Sequence, residues 1–165
     1  MTQIRFASAA LVLALALVPA AAGAQVLQER NMPLAIAQEI AQATVEACAG
    51  KNFNVTATVV DRAGVTRAVL LADRAGPHTV AASRDKAFTA ASARNATAAM
   101  AEGVEKNPAQ RNVAAIEGFL LLGGGVPVKV GDEVIGAVGV GGAPNGLIDE
   151  ECANAGIEKV KAKLR

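Results

Sequence analysis

Residues 120–142 read LLLGGGVPVKVGDEVIGAVGVGG. The pattern is that of a β-hairpin. Strand Val126–Val130 turns at Gly131-Asp132 into strand Val134–Val140, because Gly tolerates positive φ and Asp can hydrogen-bond its own backbone. Every position of 134–140 is small or apolar. Both faces of that strand are therefore expected to be covered, which places it in the middle of a sheet. Gly123, Gly124 and Gly125 lead into the hairpin, and Gly136, Gly139, Gly141 and Gly142 punctuate its second half. Glycine weakens a strand unless something must come close to the backbone. Two causes fit: a helix packed tightly on the sheet, or a ligand laid on the exposed main chain.

A second hairpin precedes the first. In Asn54–Val60, Val55, Ala57 and Val59 face one way and Thr56, Thr58 and Val60 the other, and Asp61–Gly64 turns the chain into Val65–Ala72. Helices are expected on both sides of each hairpin. Leu34, Ile36, Ile40, Ala43, Ala47 and Cys48 recur at helical spacing over Pro33–Ala49, with Pro33 at the first helical position and Gly50 beyond the end. Thr79–Ala93 and a shorter piece, Ala96–Val104, follow, then a polar loop over Lys106–Asn112. After a turn at Ala143–Gly146, Asp149–Leu164 is the last helix, acidic at its start and basic at its end, as the helix dipole favours. Strands that come in hairpins rather than crossovers predict an α+β domain: an antiparallel sheet of four or five strands with helices on both faces.

The chain has 165 residues, enough for one domain, with 52% hydrophobic residues but no Trp or Tyr, so its core must be aliphatic. Sixteen Lys and Arg balance fifteen Asp and Glu with no long run of either sign. That excludes nucleic acid as a main partner, since phosphate neutralisation needs a clustered basic face. Arg5, the apolar run Phe6–Val18 and Ala22-Gly23-Ala24 make a secretory signal peptide over residues 1–24, leaving one domain over 25–165. The expected destination is periplasmic or secreted, with no membrane association after cleavage. In such a compartment Cys48 and Cys152 can pair if the first and last helices are neighbours. They would close a loop of roughly 100 residues. Two unpaired core thiols are the other arrangement.

Several segments together carry a resemblance: Val59–Gly64, Lys86–Ala90, Gly123–Val128, Ile135–Val140, Gly142-Ala143-Pro144, Asp149-Glu150 and Ala155-Gly156. They are similar to the GlcG/HbpS family of haem-binding proteins (DUF336-type), to which the carboxy-terminal domain of PduO-type proteins is related. The resemblance covers nearly all of residues 25–165. It implies a profilin-like three-layer fold, homo-oligomers and, in some members, haem as cofactor. Haem degradation and iron binding are attributed to exported members, whereas others sit in glycolate or diol utilisation systems. The family fold also places the first and last helices on one face, which implies that Cys48 pairs with Cys152. No family motif transfers an axial haem ligand to a particular residue here.

Chemistry-bearing residues are few. His78 is the one histidine and follows Gly76-Pro77 in a first helical turn. A helix N-terminus disfavours imidazolium, and neutral imidazole is a common haem iron ligand; an ordinary solvated side chain is the other reading. Arg84, Lys86 and Arg94 share one helical stretch and could meet haem propionates or another carboxylate, or form a solvated face. The N–H groups of Gly123, Gly124 and Gly125 could form an anion-binding concavity. Thr89 and Thr97 could add hydroxyls, and Asp149-Glu150-Glu151 is a carboxylate cluster that could hold iron or simply serve the helix dipole. There is no phosphate-binding loop, dinucleotide fingerprint, zinc-ligand spacing or nucleophile elbow. The leading expectation is an exported, homo-oligomeric haem-binding protein that stores, carries or senses haem. The alternative is an enzyme or accessory protein acting on a small hydroxy acid or related carboxylate, and a third is a structural oligomer subunit.

Overall fold

The glycine-rich stretch forms a hairpin of β3 (Gly125–Val130) and β4 (Glu133–Gly141), with Gly131 at the turn at φ +59°. The structure, a computed structural model, describes residues 26–165. The signal peptide expected over residues 1–24 lies outside them. The earlier hairpin is β1 (Thr56–Asp61) and β2 (Thr66–Leu71). The four strands form one antiparallel sheet in the order β2-β1-β4-β3. β4 is central, as its composition requires, and every residue of it except Glu133 is buried.

Helices α1 (Leu34–Ala49) and α4 (Gly146–Val160) pack together on one face. Helix α2 (His78–Ala93) covers the other, over β4, β1 and β3, and α3 (Thr97–Lys106) follows it. The alternation of β1 divides the layers. Val55, Ala57 and Val59 join the α1–α4 core. Thr56 and Thr58 meet α2, where their hydroxyls bond those of Thr79 at 2.6 Å and Ser83 at 2.7 Å. Cys48 and Cys152 form a disulfide between α1 and α4, with Cα atoms 5.5 Å apart. One turn before Cys48 on α1 and one turn after Cys152 on α4, Thr44 packs on Gly156.

The local departures from expectation have physical causes. Helix α4 starts at Gly146, not Asp149, because Asn145 serves as its cap and accepts hydrogen bonds from the N–H groups of Leu147 and Ile148 at 3.0 Å. Of the turn expected at Ala143–Gly146, residues 143–145 bend the chain and Gly146 already opens the helix, and the last residues tighten into a 3-10 turn at Lys161–Lys163. Pro33 is extended and flanks α1 rather than opening it. Residues Pro108–Ala115 form a 3-10 helix, not a loop, with the Asn107 side chain accepting from Ala109 N–H at 3.3 Å.

The two explanations for the glycines separate here. At Gly139 a Cβ would lie 2.0 Å from Ser83 O and 2.5 Å from Ala87 N, and at Gly125 one would lie 2.4 Å from Lys86 O. Helix α2 therefore rests directly on the glycine backbone. That surface is filled by the chain's own helix.

Candidate functional site

Arg84 and Lys86 lie on α2 and Arg94 caps its end, and the helix sends them to different surroundings. Lys86 points inward and is 1% exposed. Its Nζ donates to Val140 O and to Asp149 Oδ2, both at 2.8 Å. Asp149 stands in the first turn of α4, on the far side of the sheet, and its Oδ1 accepts from Ala143 N–H at 3.0 Å. The ion pair crosses between layers beside Gly124. That residue has φ +116°, and a Cβ there would lie 2.7 Å from Asp149 Cβ and 3.1 Å from Lys86 Nζ. Burial pushes the Asp149 carboxyl above its ordinary range, against the opposing pull of Lys86 and of the Ala143 N–H. Lys86, Gly124-Gly125, Val140, Ala143 and Asp149 come from separate stretches of the sequence and meet at this junction.

The Gly125 N–H and the nearby threonine hydroxyls are occupied by the chain itself. Gly125 N–H donates to Thr97 Oγ1 at 2.8 Å, and that hydroxyl donates to Leu122 O at 2.7 Å. Thr89 Oγ1 accepts from Leu120 N–H at 2.8 Å and donates to Asp85 O at 2.7 Å. Gly123 abuts Gly146. These groups shape the entry to β3. Of the carboxylate cluster, Asp149 turns inward to Lys86 while Glu151 pairs with Lys51 at 2.8 Å. Among the described residues no group of three His, Cys, Asp or Glu side chains is placed to hold a metal.

The outer side of α2 is open. His78 is exposed at the first position of the helix, with its ring folded over Gly76. A Cβ at Gly76 would lie 2.7 Å from the ring's Cε1 and 2.9 Å from Nδ1, so this pose needs the glycine. Arg84 is exposed and donates from Nε and Nη2 to Asp85 Oδ1 at 3.0 and 2.8 Å. Arg94 closes the helix in the left-handed region at φ 54°, away from both.

Arg84 borders a crevice of about 470 Å³ lined by Gly64, Asp85, Phe88, Glu117 and Gly118, a volume suited to a small organic ligand. Phe88 is its aromatic wall. The ring is flanked by two positive-φ glycines, Gly64 and Gly118, whose Cβ atoms would lie 2.6 and 3.2 Å from it, and it meets Phe119 edge-on with centroids 6.1 Å apart. His78 does not line this crevice. It stands seven residues before Asp85 on the same side of α2, about 10 Å along the axis. Sequence reasoning missed Phe88, Glu117 and Gly118 as site residues. The available signal was Phe88 itself, an aromatic in a chain that has few.

The model of the family described as "Haem degrading protein HbpS-like" matches residues 32–158. The chain belongs to the HbpS-like family. A crystal structure of a double mutant of Streptomyces reticuli HbpS is 35% identical with a TM-score of 0.78, covering 93% of this chain and 99% of that one. An uncharacterized 15.0 kDa protein in the dhaT-dhaS intergenic region of Citrobacter freundii is 32% identical over 117 residues, 70% of this chain and 82% of that protein. A crystal structure of a PduOC:heme complex shares the fold at 20% identity, with a TM-score of 0.72 over 78% of this chain and 94% of that one. Membership of this family supports a haem-related function for the chain.

Proposed function

We propose that this protein is an exported haem-binding protein and that haem docks on the outer side of α2. The observation that carries the proposal is the HbpS-like match across residues 32–158. The α2 surface fits such a guest. Phe88 offers an aromatic wall, Arg84 a guanidinium at the rim for a carboxylate, and His78 an exposed imidazole with room made by Gly76. Lys86 and Gly123–Gly125 keep α2 in place from behind rather than touching the guest. Bound haem would supply an iron centre. The chain's own part is to hold and orient the macrocycle. Export is supported by the disulfide, a bond that persists in oxidising compartments.

Titration of the purified protein with haemin tests the proposal. A saturable Soret shift at fixed stoichiometry is expected, and a spectrum no different from free haemin would end it. His78→Ala should weaken binding about tenfold or more and alter the Soret band, about 1.4 kcal/mol or above. Arg84→Ala should weaken it less and leave the band in place. An unchanged band and affinity in His78→Ala would remove His78 from the site. Cleavage after Ala24 is checked by the mass of the protein recovered from the export compartment.

A further inference from the structure

The crevice on α2 has a charge imbalance that its aromatic wall does not explain. Among the described residues that line it, Arg84 is the one cation, and Asp85 and Glu117 are the two acids. Side chains one residue apart on a helix do not face each other. Arg84 therefore folds back to reach Asp85, and both its Nε and its Nη2 are engaged by one carboxylate oxygen, at 3.0 and 2.8 Å. Glu117 comes from the segment after the 3-10 helix. That segment is pinned to α2: Phe119 N–H donates to Ile116 O at 3.0 Å, and Leu120 N–H to Thr89 Oγ1 at 2.8 Å. Other cations of this part of the fold are held elsewhere. Lys86 pairs with Asp149 behind the helix, Arg62 with Glu29 and Glu133, and Arg67 lies 3.8 Å from Asp61.

The Arg84 side chain is 62% exposed and that of Asp85 28%. An ion pair so open adds little to the stability of the fold. Its consequence is for binding. A guest carboxylate reaches Arg84 only by displacing Asp85, and it does so beside the uncompensated charge of Glu117. The two acids act at different ranges. Asp85 competes at contact distance, so its effect falls on release. Glu117 acts through its field, so its effect falls on association and fades with salt.

We propose that Asp85 and Glu117 are specificity-determining residues of this crevice: they hold its affinity for an anionic guest below what Phe88 and Arg84 would give, so that the guest is handed on rather than stored. The inference rests on the docking of haem at α2 and makes the protein a carrier. Stopped-flow mixing with haemin measures association, and transfer to excess apomyoglobin measures release. Asp85→Asn keeps the shape and removes the charge, and release should slow about two- to fivefold, the range of an exposed ion pair. In an Arg84→Ala background the same substitution should leave release unchanged. Glu117→Gln should speed association at about 0.01 M salt, and the gain should vanish at about 1 M. Haemin dimethyl ester, which has no free carboxylate, should gain nothing from either substitution. Unchanged release in Asp85→Asn, or unchanged low-salt association in Glu117→Gln, overturns the inference, while haemin binding by the wild type leaves the docking reading standing. An equal gain for the ester overturns it as well, because packing rather than charge would then be the cause. Haemin bound by neither the wild type nor the variants ends both readings.

Discussion

The two faces of the sheet are held by different forces. On the α1–α4 face the contact is aliphatic and broad: Ile40, Val55, Val59, Val128, Val138, Val140 and Val160 are fully buried, and a disulfide crosses it. On the α2 face the buried apolar set is Val60, Ala137 and three alanines of the helix. There the helix is fixed by directional bonds, Thr56 to Thr79, Thr58 to Ser83, and Lys86 to Val140 and Asp149. Burial of aliphatic area is large but indifferent to small rotations, whereas hydrogen bonds set orientation at modest net gain. The open crevice lies on the second face. A surface that must present Phe88 and Arg84 at a set angle is backed by bonds that define an angle.

The largest expected effect is on the aliphatic face. Cys48→Ser with Cys152→Ser releases a constraint across a separation of 104 residues, which the chain-entropy account puts at about 4–5 kcal/mol. Urea unfolding should show that loss with little change in haemin affinity. A large affinity loss at conserved fold would mean that the two faces are not mechanically separate.

Next comes the tie between faces. Lys86→Met leaves Asp149 buried without its counter-charge and should cost about 3–5 kcal/mol. Adding Asp149→Asn keeps an acceptor for Ala143 N–H, and the double variant should recover most of the loss. The pH dependence has a definite sign. The folded carboxyl of Asp149 holds its proton more tightly than the unfolded one. Its favourable contribution is therefore complete below the ordinary carboxylate range and is lost as pH rises through the raised value. The Lys86→Met deficit should shrink as pH falls into the carboxylate range, because the lone acid is then neutral. A deficit independent of pH would show that lost packing of the lysine stem, not charge, is the cause.

These two features were unequally visible in the chain. The hairpins, the central strand and the alternation of β1 follow from residue period, and the structure has them within a residue or two. The disulfide followed only from the family resemblance, because spacing alone does not say which helices share a face. Lys86 looked like a surface cation because a helical lysine usually is one, and nothing in its neighbours announces a partner 63 residues away. Asp149 looked like a dipole acid for the same reason. Glycine has two uses that a sequence does not separate. Contact with α2 accounts for Gly125 and Gly139, passage of an ion pair for Gly124, and room for Phe88 for Gly64 and Gly118. Crevices made by chain segments far apart in sequence leave no periodic signal at all.

Gly139→Ala measures how closely α2 is seated. The new methyl would meet helix backbone, which cannot swing aside, so the helix must lift. Overpacking of this kind costs about 1–3 kcal/mol. Thermal melts should register the loss, and the haemin affinity should fall with it, since Arg84 and Phe88 travel with the helix. Loss of stability with unaltered affinity would place the guest elsewhere than on α2.

The smallest change in stability is expected where the bonds are purely positional. In Thr56→Val with Thr58→Val both hydroxyls of β1 disappear, but their partners keep other acceptors: Thr79 still donates to Gly76 O and Ser83 to Val80 O. No donor is stranded, so the cost should be only about 1 kcal/mol. The added methyl bulk is nearly isosteric with what it replaces. What the helix loses is its register on the sheet. Amide exchange should therefore quicken along His78–Ala93 while α1 and α4 keep their protection. If α2 exchanged no faster than in the wild type, the hydroxyl pairs would be incidental to its placement, and the thin alanine contact would have to hold the helix by itself.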